Sequence, residues 1–153
     1  MKNTLFSFVL LCGFSAAIIA QPANNNCSGA QSLGSLPAPL PCPSGNGGPV
    51  SVTGTTVAAT AANPYTSLLG CQPAGNQAGP ALDVWYSFVA TANMVNINMS
   101  GSLASPNVAM WTGTCPSLVG FDCAIGTAAG NLTVTFQPTT PGQTYYLQVS
   151  GNN

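Results

Sequence analysis

Histidine is absent from this chain, lysine and arginine together occur once, and aspartate and glutamate together occur twice. Charged side chains make up 2% of the sequence, where an ordinary soluble domain has about 25%. Each absence closes a class of chemistry. The single base, Lys2, precedes the apolar run "LFSFVLLCGFSAAIIA" at residues 5–20, the layout of a secretory signal peptide, with cleavage expected after Ala20. The run is shorter than the ~20 residues of a membrane span, so no membrane association is expected after cleavage. Cys12 follows Leu11, where lipid-attachment motifs need a small residue. Residues 21–153 then contain no cation. Nucleic acid binding, which rests on cations that displace counterions from phosphate, is excluded, and so is attraction to anionic membrane surfaces.

Catalysis fails on the same inventory. A serine or cysteine nucleophile needs a base, normally histidine. The two remaining charges, Asp83 and Asp122, could in principle form a glycosidase or aspartic-protease pair. Neither sits in a catalytic motif: Asp83 opens a strand pattern and reads as a strand-start residue accepting backbone hydrogen bonds, and Asp122 adjoins a cysteine. The expectation is a protein that is not an enzyme and uses no cofactor or metal.

Helical periodicity is also missing beyond Gln21. Residues 21–49, dense in Pro, Gly, Asn and Ser, read as an irregular arm, and residues 50–153 as one domain of short strands. "VSVTGTTVAAT" (50–60) alternates weakly, as an edge strand would. "DVWYSFVA" (83–90) is apolar on both faces, which predicts a central strand. Val95, Ile97 and Met99 alternate with Asn96, Asn98 and Ser100, giving one buried and one wet face. Strands are further expected at 107–113, 118–123, 131–138 and 144–151, with Leu132, Val134, Phe136, Tyr145, Leu147 and Val149 inward. Short strands punctuated by turns predict an all-β fold, an antiparallel β-sandwich. The Pro141-Gly142 turn delivers Tyr145 or Tyr146 into the last strand in the manner of a tyrosine corner.

The succession "NNNCSGA", Cys42, "TGTTVAAT", Cys71, "DVWYSFVAT", "VAMWTGTCPSLVGFDC" and "LTVTFQPTTPGQTYYLQVSG" resembles an extracellular β-sandwich module common in secreted multidomain proteins of Bacteroidetes. That module is itself similar to the bacterial pre-peptidase C-terminal domain. The resemblance covers nearly all of residues 21–153 and implies a jelly-roll-like, disulfide-stapled sandwich that is secreted or at the cell surface. It implies a non-catalytic role in adhesion or in binding surface proteins or glycans within a larger protein. Two departures stand out. The family often carries several acidic residues after the position of Cys123, whereas this chain reads "AIGTAAGN", too few carboxylates for a tight calcium site. The family also continues into one more strand with a last cysteine, so the sandwich is expected to lack a final strand.

Five cysteines follow the signal peptide: Cys27, Cys42, Cys71, Cys115 and Cys123. Secretion makes disulfides the expected state. Cys115 and Cys123 enclose a short segment and are expected to pair. Cys27, Cys42 and Cys71 cannot be assigned, with Cys27 or Cys71 expected to be the odd one. Binding without charge needs aromatic rings and neutral hydrogen-bonding groups, and Trp111 and Tyr65 are the candidates for stacking on a sugar ring. Asn26, Asn98 and Asn131 stand in glycosylation sequons. Two other readings compete with the adhesion module. One is a self-associating subunit of an extracellular fibre, completed by strand pairing between copies, with the arm as donor or linker; the other is an accessory domain of a secreted hydrolase.

Overall fold

The computed structural model describes residues 20–36, 49–60, 82–126 and 130–152. After a short 3₁₀ turn at Cys27–Gly29 come seven strands: β1 (Gln31–Leu36), β2 (Asp83–Ala90), β3 (Val95–Ser100), β4 (Ala104–Thr114), β5 (Ser117–Ile125), β6 (Asn131–Phe136) and β7 (Thr144–Asn152). One sheet has the order β1-β2-β7-β4-β5, and the other pairs β3 with β6. The protein is an all-β sandwich.

The core between the sheets follows from period-two alternation. Val84, Tyr86 and Phe88 of β2, Val108 and Met110 of β4, and Tyr145 and Leu147 of β7 meet Val95 of β3 and Leu132 and Phe136 of β6 in one cluster. Phe88 stacks on Tyr145 at 5.6 Å between ring centroids, and Phe121 meets the same ring edge-on at 5.4 Å, both within the range of favourable aromatic pairs. The Tyr145 hydroxyl accepts a 2.9 Å hydrogen bond from the backbone N–H of Thr140, just before the Pro141-Gly142 turn. Tyr145 therefore packs in the core and ties the turn down at once, as a tyrosine corner does.

Two segments depart from the sequence reading. Residues 49–60 form no strand. Their backbone is satisfied locally, Ala59 N–H on the Thr56 carbonyl at 3.0 Å and Val57 N–H on Thr55 Oγ1 at 3.1 Å, and Ala58 has φ +61°, incompatible with an extended ladder. Conversely, the arm contains strand β1, which pairs with β2 in parallel, so the sheet is not purely antiparallel. The register slips between Ser32 and Ser35, where Gly34 adopts φ +71°. Strict alternation would put Leu33 and Leu36 on opposite faces; the irregularity lets both pack on the main core.

Candidate functional site

The outer face of the five-stranded sheet is built in three rows across β2, β7 and β4. The first row is Asp83–Ser150–Asn107, the second Trp85–Gln148–Ala109, the third Ser87–Tyr146–Trp111. A sandwich face turned away from the core would ordinarily be wet, yet the first two rows are buried throughout and Trp111 with them. The arm covers Trp85, Ala109 and Trp111. The Asn24 carbonyl accepts from the Trp85 N–H at 2.8 Å, and Asn24 Nδ2 donates to the Trp85 carbonyl at 3.0 Å. Cys27 and Ala30 then pack over Trp85, Ala109 and Trp111, together with Leu118, Cys123 and Tyr146. A second, smaller core results, in which the two indoles lie 6.4 Å apart and tilted by 40°.

The arm is fastened by a disulfide between Cys27 and Cys115, with Cα atoms 6.0 Å apart. This corrects the expected Cys115–Cys123 pairing. Cys115 sits at the tip of the β4–β5 hairpin, whereas Cys123 lies opposite Ala109. The extended strand from Ser117 to Cys123 advances roughly 20 Å at ~3.3 Å per residue, beyond the ~7 Å that a disulfide bridges. Nor is Cys27 the odd thiol. Cys123 is itself disulfide-bonded, to a partner outside the described residues. Cys42, Cys71 and Tyr65 also lie outside them.

Where the arm meets the third row, a surface cleft of about 380 Å³ opens. The arm contributes Cys27, Ser28 and Ala30, and the sheet contributes Ser87, Thr114, Cys115 and Tyr146. The disulfide forms one wall, the half-exposed Tyr146 ring another, and the hydroxyls of Ser28, Ser87 and Thr114 are the polar groups. Among the described residues no charged side chain lines it. Trp111, expected to be the exposed stacking residue, is 0% exposed; the disulfide and arm seal it, and its cross-strand neighbour Tyr146 takes the open position. Ser28, Ser87 and Thr114 were not singled out in the sequence because they come from three elements that only the sheet and the disulfide bring together.

The two carboxylates are apart from the cleft. Asp83 begins β2 as expected but is wholly buried, and its Oδ2 accepts a hydrogen bond from Gln148 Nε2. Asp122 is exposed on β5, where its Oδ1 accepts from the Cys123 N–H at 2.7 Å. The sequon residues Asn26, Asn98 and Asn131 are all exposed. Asn98 faces Thr133 and Asn131 faces Ser100 on the outer side of the β3–β6 sheet. Among the described residues no cluster of acidic, cysteine or histidine side chains could hold a metal ion, and no helix is long and apolar enough to cross a membrane. No family model, curated protein or solved structure matches the chain.

Proposed function

We propose that this protein is a non-catalytic, secreted binding module that holds neutral carbohydrate at the Tyr146 cleft and so serves adhesion to a glycan-bearing surface. The observation that carries this reading is the composition of the cleft: among the described residues, a partly exposed aromatic ring beside three hydroxyl-bearing residues and no charge. Neutral sugars are recognised by such a combination, their apolar C–H faces lying on an aromatic ring while side-chain hydroxyls pair with theirs. A cleft without charge does not favour phosphate, carboxylate or ammonium ligands. The absence of both aspartates from its lining supports binding over glycoside hydrolysis, which needs two carboxyl groups flanking the scissile bond. The resemblance to secreted adhesion modules, the signal-peptide-like run before Gln21 and the disulfides agree with an extracellular setting.

The test is an array of neutral oligosaccharides probed with labelled protein, followed by titration of any glycan bound. Binding is expected to saturate and to weaken about tenfold in Tyr146→Ala, the loss of one stacking contact of about 1.4 kcal/mol, with the fold intact by circular dichroism. An array without binders, or affinity unchanged by Tyr146→Ala, overturns the reading.

A further inference from the structure

The arm that completes the cleft is attached to the rest of the sandwich in a way that another copy could reproduce, and we propose that segment 20–36 is exchanged between copies of this chain. Each cleft then takes Cys27, Ser28 and Ala30 from one copy and Ser87, Thr114 and Tyr146 from the next. Cys27 of the first copy is bonded to Cys115 of the second.

Four observations carry this. First, the arm reaches the sheet by its edge. It lies along β2 through the Asn24–Trp85 hydrogen bonds, the parallel β1–β2 register and the disulfide, and all of these form equally with an arm from a second chain. Second, β1 is not joined to its neighbour by a hairpin. In the sequence it is followed by residues 37–48, which include Pro37, Pro39, Pro41 and Pro43. A segment of the length of residues 37–48 spans at most about 40 Å at ~3.3 Å per residue, more than the ~26 Å of twice the radius of gyration of a 100-residue domain. Third, nothing electrostatic opposes the approach. The arm has no charged side chain, and the only charge on β2, Asp83, is buried. Fourth, β2 without the arm is a bare strand edge with Trp85 beside it, and such an edge accepts the next suitable strand. The contacts made are the same within a chain or between chains, so concentration against linker closure decides between them. The proposal stands independently of the ligand, since exchange delivers the same side chains to the cleft.

The covalent step is ordinary oxidation. The Cys27 thiol of one chain and the Cys115 thiol of another become a disulfide while glutathione disulfide is reduced to two glutathione thiols. The Cys27 thiolate attacks a glutathione sulfur, and the Cys115 thiolate then displaces the second glutathione, with the protons passing to the departing thiolates.

The experiment mixes equal amounts of ¹⁵N-labelled and unlabelled full-length protein, unfolded and reduced, and refolds them in glutathione buffer at low and high protein concentration. Because residues 21–153 have no lysine or arginine, pepsin at acid pH is used to release the Cys27–Cys115 linked peptide for mass spectrometry. Linked peptides with one heavy and one light half are expected, rising with concentration towards half of the total. A second arm avoids refolding. Cys27→Ser and Cys115→Ser chains, neither able to form the bond alone, are co-expressed, and a heterodimer linked through the remaining Cys27 and Cys115 is expected on a non-reducing gel. Linked peptides that are all heavy or all light at both concentrations, or co-expressed chains without the heterodimer, overturn the proposal.

Discussion

Trp111 and Tyr146 are cross-strand neighbours on one face, yet one ring is sealed and the other is half open. The difference lies in what packs against them: the indole is buried in the cluster that Cys27 and Ala30 cover, while the phenol packs only partly on it and lines the cleft. Each ring therefore answers differently to truncation. Trp111→Ala empties a buried site and is expected to cost about 3–5 kcal/mol of stability, read as a fall in the urea midpoint, whereas Tyr146→Ala, whose ring only partly packs on that small core, should lower the midpoint less and act on ligand affinity. Asp83 obeys the same logic in polar form. Its carboxyl accepts from the buried Gln148 amide, and removing one partner of a buried hydrogen bond costs about 1–3 kcal/mol. Asp83→Ala is accordingly expected to lower stability by about 3 kcal/mol in chemical denaturation, with no effect on binding at the cleft.

At the scale of elements, β3 and β6 depend on a close backbone approach at one end. The Gly101 N–H donates to the Gly130 carbonyl at 2.7 Å, and the Gly130 N–H donates to the Leu103 carbonyl at 2.8 Å. Gly130 holds φ +82°, and a Cβ there would stand 1.9 Å from the Gly101 carbonyl oxygen. A left-handed conformation alone costs an L-residue about 1–2 kcal/mol. Adding the clash, Gly130→Ala is expected to destabilise by more than about 2 kcal/mol, checked by thermal or denaturant unfolding. Hydrogen exchange should show the loss first at the β3–β6 amides. Asn98 and Asn131 sit on this same sheet, on its polar outer side, where Thr135 Oγ1 already hydrogen-bonds to Asn96 Oδ1 at 2.6 Å.

For the whole molecule, the Cys27–Cys115 bond spans a sequence separation of 88 residues and ties the arm to the hairpin tip of β4 and β5. Closing a loop of that length removes denatured-state entropy equivalent to about 4–5 kcal/mol on the chain-entropy account. The double variant Cys27→Ser/Cys115→Ser is expected to lose about that much, measured as the shift between its urea transition and that of the parent. Freeing the arm also uncovers the small core, so the variant's tryptophan emission should move to longer wavelength before global unfolding. A parent-like emission spectrum would show that the Asn24 hydrogen bonds and the β1–β2 pairing hold the cover in place without the disulfide.

The sequence by itself determined the all-β class, the strands from Asp83 onward and the inward faces of β3, β6 and β7, because period-two alternation is local and survives without knowledge of neighbours. It also determined the scarcity of charge. Only the tertiary structure decided the disulfide partner of Cys115, the parallel placement of β1, the burial of Trp111 and the cleft. These depend on contacts between residues about 60 to 90 positions apart, such as Asn24 with Trp85 and Cys27 with Cys115. A face that alternation marks as outward becomes interior once a distant segment is laid over it, and no local pattern in either segment records that meeting.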